Sequence, residues 1–332
     1  GSNGSGKSNL IQVFRFLKEV VAGNVVQFTA TKGGASAILH FGGRRNKAAG
    51  VLARAIDLKV GFDEGYGPRN GYEVRLRATD SDSFAVDSED LWIDRGIRMP
   101  SSTGVDVVHD EPPSNARESW NNAARDVLPL ISAFRIYHFH DTSETAAVKG
   151  SCAVDDNRYL REDGGNLAAF LYWLQEKEPA HLGAITDAVR QVAPFFERFQ
   201  LEPSKLAPDR IRLEWMERGD DAHFNASALS DGSLRFMCLA ALLLQPVLPP
   251  LILLDEPELG LHPAAVVLLA SLLASASTRS QLVVATQSSV LIDQLRPEDV
   301  WAVDRRNGES VFRWLGGADM SGWLDEYGLG EL

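Results

Sequence analysis

The first ten residues, "GSNGSGKSNL", meet the pattern G-x-x-x-x-G-K-[ST] through Gly1, Gly6, Lys7 and Ser8. Residues of these types at this spacing hold phosphate. Gly1, Gly4 and Gly6 let the backbone approach an anion closely, and successive N–H groups can then point inward at its oxygens. Lys7 would neutralise the β- and γ-phosphates of a nucleoside triphosphate, and the Ser8 hydroxyl would ligate Mg²⁺. The candidate phosphate-binding set is Gly1, Asn3, Gly4, Ser5, Gly6, Lys7, Ser8 and Asn9. The loop must open a helix, and "SNLIQVFRFLKEV" supplies one, with Leu10, Val13, Phe14, Leu17 and Val20 at helical spacing.

A second group of carboxylates stands far along the chain. "LILLDEPELGLHP", residues 251–263, is an apolar strand ending in Asp255 and Glu256. A buried parallel strand delivers its last residues to the carboxyl edge of a sheet, where nucleotides lie. Asp255 suits the Mg²⁺ shell, and Glu256 could orient or deprotonate an attacking water. An isolated Asp-Glu pair could equally be a solvated strand end, but each motif predicts the other. Just upstream, "ALSDGSLRFMCLAALLL" opens with a polar turn of Ser230, Asp231, Gly232 and Ser233 before an apolar helix. Ser230 suits a helix cap, and the same helix start could serve an anion belonging to another subunit. The residues alone leave both readings open.

The elements that must position these groups follow from patterning. Runs from Val25 to Asp94 ("VVQFTA", "SAILHF", "LARAIDLKV", "YEVRLRA", "SFAVD", "LWIDR") alternate between glycine-rich breaks and predict an antiparallel meander. Residues 96–116 read as an exposed connection, 117–127 as a helix, and "ISAFRIYHF" as a return to the core. Two helices, broken near Pro179, are expected over 164–198, then a strand, "RIRLEWME". From Leu229 the order helix, strand, helix, strand belongs to a parallel sheet covered by helices.

Composition narrows the classes. The chain has 332 residues, 45% of them hydrophobic, enough to bury a large core. The net charge of −12 argues against a surface coated uniformly for nucleic acid, while leaving room for a local basic patch. Two cysteines, Cys152 and Cys238, make neither a metal set nor a disulfide framework, so a cytoplasmic setting is expected. No apolar run approaches membrane-spanning length. His109, His138 and His140 match no standard metal-ligand spacing, and packing roles are expected of them.

With "GSNGSGKSN", "LSDGSLRF", "LLDEPELGLHP", "ATQSSVLID" and "WLDEYGLGEL" in this order, the chain resembles the ABC-type ATPases of the RecF, SMC and OLD-nuclease group. Within that group it is similar to the prokaryotic AAA-family ATPases of the RecF-like branch. The resemblance covers essentially the whole chain. It implies an α/β P-loop NTPase of ABC-ATPase type, with a mainly parallel sheet core, an inserted antiparallel meander and a helical lobe. The implied organisation is the phosphate loop and first helix over 1–24, a β lobe over 25–95, a linker and helical lobe over 96–200, and the remaining ATPase core over 201–332. The implied cofactors are ATP and Mg²⁺, held between two heads of a homodimer. Leu229, Ser230, Asp231, Gly232 and Ser233 would then be the signature that touches the γ-phosphate across that dimer. Residues 258–262 would fall where the D-loop crosses the interface.

Relatives also carry strands ahead of the loop, so the resemblance implies that the recorded start is truncated, and that "GLGEL" stops a little short of the usual end. Many relatives have Thr-His-Ser after the last core strand, where this chain has Gln287. Glutamine can donate to a phosphate oxygen but cannot carry charge near neutral pH, which implies slow turnover. Alternatively, Gln287 is simply a polar residue ending a strand. The Q-loop position has no clear match, and His140 and Asp141 in "RIYHFHDTSE" are its candidates. Three functions are open. One is an ATP-driven dimerising head in DNA maintenance or anti-phage defence, with DNA or an effector encoded nearby as partner. Another is a nucleotide-gated sensor with little hydrolysis. The last is a transporter motor, which the long meander and helices between Lys7 and Ser230 disfavour.

Overall fold

In a computed structural model, residues 6–39, 54–63, 68–93, 97–100, 124–306, 309–316 and 329 are described. They fall into two compact units. One takes the residues up to Ile11, Arg135–Arg306 and those from Ser310 onward; the other takes Gln12–Phe134 and Glu309. The division falls inside helix α1 (Lys7–Val21). Among the described residues, no helix is long and apolar enough to cross a membrane.

In the first unit, "LILLD" shows no alternation because both faces of its strand are covered. Strands are numbered along the chain. Strand β11 (Leu251–Asp255) is central in a parallel sheet of order β12-β11-β5, with β12 (Gln281–Ala285) and β5 (Arg135–Tyr137) as neighbours. Ile252, Leu253 and Leu254 are all buried. The helices α7 (Asp231–Leu243) and α8 (Pro263–Ser277) surround β11 in sequence, as the βα alternation predicts. Helices α5 (Leu167–Lys177) and α6 (Pro179–Val192) break at Glu178 and Pro179, also as expected. The predicted strand "RIRLEWME" divides at Leu213. Its first half, β8 (Arg210–Arg212), pairs with β6 (Ser151–Ala153), while its second, β9 (Glu214–Glu217), sits between β7 (Phe196–Gln200) and β10 (His223–Asn225). A hairpin of β13 (Trp301–Arg306) and β14 (Glu309–Trp314) follows β12.

The second unit holds the antiparallel meander, in order β1 (Ala55–Asp63), β2 (Pro68–Ala78), β3 (Phe84–Ile93) and β4 (Ile97–Pro100). Period-2 alternation is clear in β2: Tyr72, Val74 and Leu76 are buried, while Glu73 and Arg75 pair with Lys59 and Asp57 on β1. The runs "SFAVD" and "LWIDR" merge into the single strand β3, and β4 begins the segment expected to be a connection. The rest of that connection lies outside the described residues. The helix expected at 117–127 is seen at 124–132 (α4), its start being undescribed.

Two expected strands are helices. "VVQFTA" lies in α2 (Val25–Thr31) and the first half of "SAILHF" in α3 (Ala35–Ile38), with His40 and Phe41 outside the described residues. β-branched and aromatic residues suggested a strand, but packing decides otherwise. Val25 and Thr29, four apart, share the buried face, and the Thr29 hydroxyl donates to the Val25 carbonyl at 2.6 Å. Phe28 stacks on Phe16 of α1 with ring centroids 5.5 Å apart.

Candidate functional site

Of the phosphate-loop residues, Gly1, Asn3, Gly4 and Ser5 lie outside the described residues. Gly6 has φ +111°, and a Cβ there would overlap the Ser310 hydroxyl, so both conformation and space require glycine. Lys7 and Ser8 form the first turn of α1, whose N-terminus presents backbone N–H groups, and Asn9 is exposed beside them.

The Ser8 hydroxyl donates to Asp255 Oδ1 at 3.1 Å, joining groups 247 residues apart in the chain. Both groups present hard oxygen atoms, the donor type that Mg²⁺ takes. Their separation fits adjacent corners of an octahedron with bonds of about 2.1 Å, as Mg²⁺ demands. Phosphate and water oxygens would supply its remaining positions. Asp255 ends β11 opposite Ala285 of β12. Its carbonyl oxygen is bonded to His140 Nε2 at 2.8 Å, and because a carbonyl only accepts, Nε2 carries the proton. Of the two Q-loop candidates, His140 therefore stands against the Asp255 backbone. Asp141 accepts from the Ser143 N–H and hydroxyl, which hold its carboxyl below the usual range.

Glu256 turns the chain out of the sheet. Its φ of +43° is rare for a residue with a Cβ, and its N–H donates to the Ala285 carbonyl at 2.7 Å. Its carboxylate accepts from Gln287 Nε2 at 2.5 Å. Ser8, Asp255, Glu256 and Gln287 thus lie around the ends of β11 and β12. The turn of Ser230, Asp231, Gly232 and Ser233 does not join them by a bond. Among the described residues, no hydrogen bond links Ser230 to Ser8 or Asp255. Ser230 caps α7, its Oγ accepting from the Ser233 N–H at 3.2 Å and donating to the Ser233 hydroxyl at 2.9 Å. Gly232 abuts the loop after β11, where a Cβ would stand 2.6 Å from the Gly260 carbonyl oxygen.

A family model described as "AAA domain, putative AbiEii toxin, Type IV TA system" matches residues 1–293. The chain belongs to this family. Its membership agrees with the resemblance to RecF-like AAA-family ATPases, and the α/β fold with a parallel sheet and antiparallel meander is as that resemblance implied. No curated protein matches the chain. Similar solved structures include an SMC head bound to the C-terminal winged-helix domain of ScpA, with 18% identity over 94% of this chain and 87% of that one (TM-score 0.47). Another is an SMC head with an extended coiled coil from Pyrococcus furiosus, with 16% identity over 98% and 91% (TM-score 0.47). The SMC head from Thermotoga maritima shares 13% identity over 75% and 76% (TM-score 0.34).

Within this AAA domain, Arg235 escaped the sequence reading. Its signal was visible: a single charge inside the apolar run "LRFMCLAALLL" must find partners when its helix packs. Its guanidinium donates to the carbonyls of Phe139 (3.1 Å), His140 (2.8 Å) and Leu259 (2.7 Å). Arg235 thus ties α7 to the segment carrying His140 and to the loop after Glu256. Replacing it with Ala leaves these carbonyls without their donor. The expected loss is about 3 kcal/mol of stability, each hydrogen bond from a charged group being worth about 1.5–3 kcal/mol. Arg235→Lys recovers only part, since an ammonium lacks the planar fork. Urea unfolding midpoints measure both, and an unshifted midpoint for Arg235→Ala rules out this bracing role.

His109 lies outside the described residues. His138 and His140 have ring centroids 6.2 Å apart, and among the described residues no three His, Cys, Asp or Glu side chains are grouped to hold a metal.

Proposed function

We propose that the chain is an ATP- and Mg²⁺-binding head that hydrolyses ATP slowly and dimerises around two ATP molecules. The observation that carries this reading is the Ser8–Asp255 hydrogen bond, which joins the start of the loop helix to the carboxyl end of the central strand. In this mechanism Lys7 and the N–H groups at the start of α1 bind the β- and γ-phosphates. Ser8 and Asp255 hold Mg²⁺, which when bound offsets phosphate charge during transfer. Glu256 takes the proton of the attacking water, and Gln287 orients that water and donates to a γ-phosphate oxygen. ADP and inorganic phosphate are the products.

A second reading is favoured by one contact. The Gln287 amide donates to Glu256 Oε1 in this conformation, and a carboxylate that accepts such a bond is a weaker base toward water. A head in that state binds nucleotide, turns over little and signals occupancy to an effector. The family description names an AbiEii toxin of a type IV toxin–antitoxin system. That supports a role in anti-phage defence, beside a partner encoded nearby, over one in DNA maintenance.

The composite site is tested at Ser230. A capped helix start offers N–H groups to an anion, while the loop at Lys7 surrounds the phosphates of its own nucleotide. The second set of donors therefore suits a partner's ATP, twice over in a twofold dimer. Ser230→Arg is expected to leave ATP affinity unchanged and to abolish the ATP-dependent rise in mass seen by light scattering. Normal dimerisation and turnover in this variant would leave the turn as a helix cap alone.

A further inference from the structure

We propose that Glu258 is a positioning residue that holds the loop carrying Gln287 through the hydroxyl of Thr286. This deepens the ATPase reading above and rests on it. Strands β11 and β12 are parallel neighbours with Asp255 opposite Ala285, so residues 256–258 and 286–288 leave the sheet side by side. Two bonds cross between these segments. Gln287 Nε2 donates to Glu256 Oε1, and Thr286 Oγ1 donates to Glu258 Oε1 in a short hydrogen bond. Thr286 Oγ1 in turn accepts from the Ser288 N–H at 3.0 Å, which fixes the turn around Gln287.

The other carboxylate oxygen, Glu258 Oε2, is buried without a hydrogen-bond partner among the described residues. Thr286 is therefore the side-chain anchor of this carboxylate. Losing the Thr286 bond would leave this half-buried carboxylate with no side-chain partner, which disfavours its release. The backbone of the same loop is stiff. Leu259 N–H donates to the Glu256 carbonyl at 3.1 Å, Leu261 N–H to the Glu258 carbonyl at 3.0 Å, and Arg235 grips the Leu259 carbonyl. A rigid loop holding Thr286 fixes the distance between Gln287 and Glu256, on which water orientation depends.

The test compares Glu258→Ala, Thr286→Val and Thr286→Ser in the full-length protein, with ATP turnover, ATP affinity and amide exchange of residues 286–292 as readouts. Glu258→Ala and Thr286→Val are each expected to lower kcat by about 10- to 100-fold, the usual cost of losing a supporting partner of a reactive group, with ATP affinity unchanged. Combining them should cost no more than either alone, since both remove one bond. Both should speed exchange of residues 286–292, while Thr286→Ser, which keeps the hydroxyl, stays close to wild type in every readout. If Glu258→Ala fails to fold, Thr286→Val against Thr286→Ser decides. Unchanged exchange and kcat in Thr286→Val overturn the proposal, as does a Glu258→Ala protein that loses only dimerisation. Should wild type turn over ATP no faster than Glu256→Gln, the ATPase reading fails. The exchange comparison then still decides: faster exchange keeps the clamp, and unchanged exchange removes it.

Discussion

Glu256→Gln protein is expected to bind ATP as wild type does and to hydrolyse it about 10²–10⁴-fold more slowly, the range for loss of a general base. The substitution keeps the volume and the carbonyl oxygen that accepts from Gln287, so the contact between β11 and β12 survives. What is lost is the group that can take a proton. ATP-bound dimers should accumulate, because in the proposed cycle separation follows hydrolysis, and light scattering would show them beside single-turnover kinetics. Gln287→His is the companion variant. Histidine can carry charge where glutamine cannot, and it also frees Glu256 from the amide, so turnover should rise. Wild-type turnover in Glu256→Gln removes Glu256 from the chemistry, and no gain in Gln287→His shows that the missing histidine does not limit the rate.

Lys7→Ala is expected to weaken ATP–Mg²⁺ binding by about 3 kcal/mol, roughly 100-fold in Kd, through loss of charge-assisted hydrogen bonds to phosphate. Lys7 stands in the first turn of α1, where its ammonium adds to the positive end of the helix. Ser8 and Asp255 remain in the variant, so residual metal-dependent binding should persist. Titration calorimetry with and without Mg²⁺ separates the two contributions. Equal Kd values for Lys7→Ala and wild type would mean that nucleotide does not lie at this helix start.

Legibility in the sequence followed how local each decision was. Leu251–Asp255 was readable as a buried parallel strand because five residues carry the whole signal, and the Ser230 cap of α7 sits beside the helix that it starts. Val25–Thr31 was misread because its residue types suit a strand, and only Phe16, elsewhere in the chain, reveals why a helix wins. The pairing of Ser8 with Asp255 could be foreseen because the chemistry of a phosphate loop demands a second carboxylate. The pairing of Glu258 with Thr286 could not. Both are common residue types, and nothing in their spacing announces that adjacent parallel strands will release them side by side.

The separation of 247 positions between Ser8 and Asp255 also sets a schedule for the making of the protein. During synthesis Ser8 leaves the ribosome long before its partner exists, and at about 5–20 residues per second the wait is roughly 12–50 s. Throughout that interval Ser8 has no Asp255 to bond, and the parallel sheet that places that carboxylate is unfinished. A nascent chain therefore cannot gain the stabilisation that bound nucleotide confers on the completed fold, about 2.7 kcal/mol at a hundred times Kd. ATP then acts as a late check on assembly, rewarding only chains that have brought Ser8 back to the end of β11.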